Sequence, residues 1–244
     1  MNKSSLKNIA TEVINLEIDA LKILKKSINK NFDKAVNTIV NCQSKIILCG
    51  VGKSGLIAAK IASTLSSVGS PAFSLSASDC LHGDLGSITK KDVLILISNS
   101  GRSEEIIPII KFANRNKIKL IGIVSKKNSL LYKGSDIKIL LPYVKESGLG
   151  VVPTSSASIQ LAIGDALAVA ALKKKQFSRY DFSRLHPGGS LGKQLKTVGD
   201  IMATGIKIPF ISENKTMKEA IKTISNKKLG VVIVRNIDLS LIHI

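Results

Sequence analysis

An unbroken apolar run, Val93-Leu94-Ile95-Leu96-Ile97, passes directly into Ser98-Asn99-Ser100-Gly101-Arg102-Ser103-Glu104-Glu105, and this junction constrains the fold more than any other stretch of the chain. Consecutive β-prone residues with no polar alternation fit a strand covered on both faces, the habit of parallel sheets. The polar stretch then opens a helix, so hydroxyls and backbone N–H groups meet at a helix N-terminus. Such a cup binds anions, because the dipole and the unpaired N–H groups favour negative charge, and a phosphate monoester is its natural occupant. The simpler reading is an ordinary N-cap, with Ser100 or Ser103 closing the helix and Glu104 and Glu105 favouring its dipole; a cap, however, needs only one such side chain.

The same rhythm extends along the chain. β-rich runs at 45–49, 71–75, 93–97, 118–124 and 137–141 alternate with helical patterns at 53–68, at about 103–114 and near Ser129. This predicts an α/β fold, a three-layer arrangement in which helices flank a parallel sheet. Ahead of it, Ile9, Val13, Leu16, Ala20 and Leu24 recur at helical spacing and put one apolar stripe on a long helix, followed by a shorter helix over 32–40. A strong helical pattern over 155–174 closes the domain. Leu185-His186-Pro187-Gly188-Gly189-Ser190-Leu191-Gly192 is too rich in Gly and Pro for a regular element and reads as a loop of fixed shape. The expected domains are 1–196, including the N-terminal helices, and 197–244, where a helix over 217–226 and a strand over 230–234 are predicted.

Composition narrows the function classes. The formal charge of +19 invites a nucleic-acid or membrane partner, yet only five of the 36 basic residues are Arg and the Lys residues are scattered. Without an arginine-rich reader or a basic-aromatic stripe, neither nucleic acid nor membrane is expected as a partner, and the charge points to a small anion. Cys42, Cys49 and Cys80 have neither metal-ligand spacing nor disulfide parity, which fits core roles in a reducing compartment. No apolar run is read as approaching membrane-spanning length, so the expected location is cytoplasmic.

Two further clusters carry chemistry. Gly50-Val51-Gly52-Lys53-Ser54-Gly55 matches G-x-G-x-x-G between a strand and a helix, but the next strand offers no acidic ribose partner before Asp79. A Walker loop is excluded by Ile47, where a glycine would be needed. What remains is a tight turn that carries Lys53 to the C-terminal edge of the sheet. His82-Gly83-Asp84-Leu85-Gly86 could serve only local ends, His82 satisfying a carbonyl and Asp84 capping a turn. Yet His82, Glu105 and Glu146 each follow a strand, and His186 lies in the Gly-Pro loop. A Lys, two Glu and two His can therefore converge with the serine cup as an acid–base site for a phosphorylated substrate.

In order and context, from roughly 40 to 196, these motifs, together with Pro153-Thr154-Ser155-Ser156, Gly164-Asp165-Ala166-Leu167-Ala168 and His186-Pro187-Gly188-Gly189, resemble the sugar-isomerase (SIS) domain of arabinose-5-phosphate isomerases. Val198-Gly199-Asp200-Ile201-Met202 and Lys228-Leu229-Gly230-Val231-Val232-Ile233-Val234 resemble the start of the paired CBS modules that follow it, so a partial C-terminal CBS module is expected. The resemblance implies interconversion of D-ribulose 5-phosphate and D-arabinose 5-phosphate for Kdo and lipopolysaccharide synthesis, in a homotetramer. It carries Lys53, Glu105, Glu146 and His186 over as the catalytic set. The substrate-binding set is Gly69, Ser70, His82, Ser98, Asn99, Ser100 and Ser103, with Ser98, Ser100 and Ser103 holding the phosphate. Three departures stand out: the segment Ser147-Gly148-Leu149-Gly150 is one residue shorter than the family's loop; Ser76 stands where some relatives carry a His linked to inhibitory zinc, so no metal is expected; and the chain stops at Ile244 within the first CBS module.

Moving a carbonyl between C1 and C2 needs a base that shuttles one proton through an enediol and a donor for the developing oxyanion, with no cofactor. Glu105 or Glu146 can be the base, His82 or His186 a proton shuttle, and Lys53 electrostatic support. A phosphosugar-binding regulatory protein and a decayed isomerase are the alternatives; residues 1–44 read as two helices rather than the helix-turn-helix a DNA regulator would place there.

Overall fold

The computed structural model describes residues 5–186, 198–236 and 241–243. The chain divides into two compact units, Met1–Gly189 and Ser190–Ile244, a division a few residues before the boundary expected from sequence. The Gly-Pro loop expected after His186 lies outside the described residues.

The first unit is built on five parallel strands in the order β2-β1-β3-β4-β5: β1 (Ile46–Gly50), β2 (Ala72–Ser76), β3 (Val93–Ser98), β4 (Lys119–Val124) and β5 (Ile137–Leu140). β1 and β3 are central and wholly buried, as their unbroken apolar runs require. Successive residues alternate between the two faces. Val93, Ile95 and Ile97 join one core with α1 (Leu6–Ser27), α2 (Lys30–Val40), α3 (Lys53–Ser67) and α7 (Ser155–Lys174). Leu94 and Leu96 join the other with α4 (Ala77–Cys80), α5 (Ile106–Arg115) and α6 (Leu130–Gly134). Cys49 and Cys80 are buried in this second core, as expected.

Two expectations change. The stripe on α1 is fully buried only at Ala20 and Leu24, with Val13 and Leu16 half-buried and Ile9 46% exposed. And α7, 20 residues long, is apolar enough by length and composition to cross a membrane, contrary to the sequence reading. Its residues Ile159, Ile163, Leu167, Ala168 and Ala171 are nevertheless buried in the first unit, the setting of a core helix.

At the N-terminal edge of the sheet the buried Asp92 carboxylate accepts hydrogen bonds from the Lys45 N–H at 3.2 Å, the Lys45 Nζ at 3.1 Å, and the Thr89 N–H and hydroxyl at 2.6 and 2.9 Å. Burial alone would raise its pKa, but these donors together with Ser44 hold it down to about 2. The stabilisation is present above the ordinary carboxylate range and is lost as pH falls towards that value. Asp92→Asn keeps the volume but gives up one acceptor oxygen beside a cation, so unfolding in denaturant should show a loss of about 2–4 kcal/mol.

In the second unit β6 (Phe210–Ser212) runs parallel to β7 (Ile233–Arg235), joined through the helix Met217–Lys227. That helix starts on a reciprocal capping box between Thr216 and Glu219. β7 begins three residues later than predicted because Gly230, at φ +76°, is still part of the turn. β8 (Leu241–His243) pairs antiparallel with β7, giving it a neighbour on each side.

Candidate active site

The strand order places β2 on one side of β1 and β3 on the other, so the loops leaving β1 and β3 diverge to opposite faces of the sheet. A crevice opens where they part, the position at which open parallel sheets bind ligands. The β1 loop is the glycine turn. Gly52 adopts φ +57°, which a side chain would resist, and Gly50 and Gly55 allow strand end and helix start to touch: a Cβ on Gly55 would lie 2.8 Å from the Gly50 carbonyl oxygen. The turn leaves Lys53 at the first position of α3, exposed and in no ion pair among the described residues.

The β3 loop forms the cup. Ser98 is buried and its hydroxyl accepts from the Gly101 N–H at 3.0 Å, while the Ser100 hydroxyl accepts from the Arg102 N–H at 3.3 Å. Ser103 Oγ lies 3.5 Å from Ser98 Oγ. The helix begins at Ile106, later than predicted, and its N-cap position, Glu105, makes no side-chain cap, so neither serine closes it. Because Ser98 and Ser100 meet these N–H groups as acceptors, their O–H groups remain donors, which is what an anion needs. Asn99 accepts from the Ser125 hydroxyl at 2.6 Å and points the loop across the crevice.

Glu146 completes the third side. Its Oε2 accepts from the Thr154 N–H at 2.9 Å, the Thr154 hydroxyl at 3.2 Å and the Ser156 N–H at 3.3 Å, the last from the N-terminus of α7. Burial pushes its pKa up, but the bonds from Ser156 and Thr154 outweigh this and hold the carboxyl below its ordinary range. Oε2 is thus committed to these three donors. A cleft of about 390 Å³ brings together Lys53, Ser54, Asn99, Glu146, Ser156 and Gln160. A lobe of about 200 Å³ continues past Asn99 and Glu146 to Lys126 and Tyr143. Between β5 and α7 a short hairpin, bridged from Ser147 to Val152, turns through positive φ at Gly148, Leu149 and Gly150 and borders the cleft.

A family model described as SIS domain matches residues 39–170. The chain is 41% identical to an arabinose 5-phosphate isomerase KdsD of Yersinia pestis over 91% of its own length and 69% of that protein. It is 43% identical to the protein of the same name from Francisella tularensis, over 91% of this chain and 70% of that one. The chain belongs to the SIS-domain family of arabinose 5-phosphate isomerases. Among solved structures, E. coli CFT073 c3406 in complex with arabinose 5-phosphate superposes with a TM-score of 0.73 at 35% identity, covering 77% of this chain and all of that one.

Within this SIS domain the expected residues divide into groups. Lys53, Glu146 and Asn99 share the cleft, and Ser98, Ser100 and Ser103 lie in the loop that borders it. Glu105 and His82 are at the same sheet edge, after β3 and β2, but do not line the cleft; His82 is exposed after α4, and Ser76 caps that helix by accepting from the Asp79 N–H at 3.3 Å. Gly69 and Ser70 lie at the opposite edge, just before β2. There Lys175 Nζ donates to the Gly69 carbonyl and the buried Ser70 hydroxyl, and Phe177 packs on Gly69, a packing role within the chain. His186, which follows the seven-residue α8 (Arg179–Leu185), is not among the residues that line this cleft. Its ring stacks on Phe182 at 3.9 Å and Nδ1 donates to the Phe182 carbonyl.

Ser54, Thr154, Ser156 and Gln160 carry weight that the sequence reading did not give them. The run Thr154-Ser155-Ser156 before an apolar helix already resembles an N-terminal anion site, and Gln160 follows Ser156 by one helical turn, on the same face.

Proposed function

We propose that the protein interconverts D-ribulose 5-phosphate and D-arabinose 5-phosphate through an enediol, supplying Kdo and lipopolysaccharide synthesis. The observation that carries this reading is the Glu146 carboxylate, held below its ordinary range, sharing a cleft with Lys53, which is in no ion pair among the described residues, and lying beside the hydroxyl cup. The phosphate rests on the Ser98, Ser100 and Ser103 hydroxyls at the N-terminus of α5. Glu146 Oε1 removes the proton from the carbon next to the carbonyl and returns it to the neighbouring carbon, and Lys53 stabilises the charge that develops on oxygen. The conversion moves protons within the substrate, so no redox cofactor takes part. Glu105 and His82 act at the rim, in binding and in opening the sugar ring.

The assembly is a homotetramer in which His186 serves the cleft of a neighbouring subunit, since it is not among the residues lining the cleft of its own domain. The apolar residues that α1 leaves exposed, among them Ile9 and Ile14, are the surface such neighbours cover. Catalysis belongs to the first unit, and the βαβ order of the second is that of a CBS-type module. Free thiols at Cys42, Cys49 and Cys80 suit a cytoplasmic location.

The test is the purified protein with D-ribulose 5-phosphate, monitored for the aldose, with fructose 6-phosphate as control. Turnover of the pentose is the expected result, and none with either sugar would overturn the reading. Ser100→Ala should raise KM by about 10-fold or more, because a hydrogen bond to a charged group contributes about 1.5–3 kcal/mol. An unchanged KM would remove Ser100 from the cup.

A further inference from the structure

Gln160 is a polar side chain in a place where a core helix normally carries an apolar one. It is 2% exposed, on α7 between Ile159 and Ile163, both of which are buried in the core. One end of its carboxamide is fixed, since Oε1 accepts from the Ser54 hydroxyl at 3.0 Å. The Nε2 end has no protein partner among the described residues, yet it is not sealed off as Ser147 Oγ and Ser155 Oγ are, because Gln160 lines the cleft. A buried amide left open towards a cleft costs free energy unless something in the cleft accepts from it.

Its surroundings are positive. Lys53 stands at the first position of α3, a 15-residue helix with no side-chain cap and no acid in its first turn, so the dipole's positive end is unopposed. The cleft therefore has two electropositive poles: the serine cup at α5, and this second pole made by Lys53, the α3 N-terminus and the Gln160 amide. A phosphate monoester fills only the first. In an open-chain sugar phosphate the other negative charge arises at the far end, on the oxygens of the enediolate, and only during the reaction.

We propose that the Gln160 carboxamide, anchored by Ser54, donates from Nε2 to the enediolate oxygen, so that Gln160 is a catalytic residue of the oxyanion site alongside Lys53. This rests on the isomerase reading above. A neutral amide donates to the ground-state carbonyl as well, but more strongly once charge develops, so its contribution falls on the transition state. Ser54 is a positioning residue that holds the amide's other end and prevents its rotation.

The experiment uses Gln160→Leu and the length-matched Gln160→Met, with thermal melts to establish that each folds. The readouts are kcat and KM with D-ribulose 5-phosphate, and affinity for a phosphorylated four-carbon aldonohydroxamate, whose oxygens mimic the enediolate. The expected result is a loss in kcat of about 100-fold or more, the scale of removing one oxyanion donor. KM should move by less than about threefold. Hydroxamate affinity should fall by a factor similar to that in kcat, while inorganic phosphate binds as before. A merely structural role would weaken phosphate and hydroxamate together, and that outcome, or an unchanged hydroxamate affinity, overturns the proposal. If the wild type binds the hydroxamate but turns over no pentose phosphate, the isomerase reading fails, and selective loss of hydroxamate binding in the variants still decides whether Gln160 is an oxyanion donor.

Discussion

Glu146→Gln should lower kcat by about 10²–10⁴-fold while KM changes far less, the scale of losing a positioned general base. The substitution is conservative because the hydrogen bonds from the Thr154 N–H, the Thr154 hydroxyl and the Ser156 N–H converge on one oxygen, Oε2. A glutamine can offer its carbonyl to the Thr154 and Ser156 donors and place its NH2 where Oε1 was, so the hairpin and the start of α7 keep their anchor. Only basicity is removed. The same hydrogen bonds set a pH signature. A carboxyl held below its ordinary range stays deprotonated to lower pH, so the acidic limb of kcat/KM should fall below the usual glutamate range. Thr154→Val, which removes the hydroxyl donor, should move that limb up. Near-normal turnover by Glu146→Gln would mean that the base lies elsewhere, and Glu105 would be the next residue to replace.

The architecture of the first unit was legible because its signals are local. Apolar runs such as Val93 to Ile97 and the glycine turn before Lys53 each settle what a few consecutive residues do, and a parallel sheet follows from their alternation. The site was legible only as far as strand ends determine it. Lys53 and the serine cup follow β1 and β3 directly, and the switch point between those strands brings them together. Glu146 reaches the cleft because Thr154 and Ser156 fold back onto its carboxylate, a contact across a hairpin that no periodicity reports. His186 packs its ring on Phe182 one helical turn earlier rather than lining this cleft, and motif order does not report such a local contact. Gln160 gives no sequence signal, because a lone polar residue in an apolar helix forms no pattern; its meaning comes from Ser54, 106 residues away.

Gly50→Ala should be severely damaging to the first unit's site. The added Cβ would lie 2.8 Å from both the carbonyl carbon and the oxygen of Ser54, and 3.0 Å from the Gly55 nitrogen. All three are backbone atoms of the first turn of α3, so no rotamer change can relieve the clash. The strand cannot yield either, because Gly50 is paired with Ser76 of β2 on one side and Ile97 of β3 on the other. The helix start must therefore swing outward, taking Lys53 and Ser54 with it and releasing the far end of Gln160. A displacement of about 1 Å at a reacting centre costs about 100-fold, so kcat/KM should fall at least that far. Overpacking of this kind destabilises by about 1–3 kcal/mol, which a thermal melt would register without abolishing the fold. Gly52→Ala separates the two effects. Its Cβ meets nothing within 4 Å, so the variant bears only the backbone strain at φ +57° and leaves the strand–helix contact closed. Gly52→Ala should therefore lose stability but retain much more activity than Gly50→Ala. Equal kinetic losses in the two variants would show that turn conformation, rather than the close approach of strand and helix, places Lys53 in the cleft.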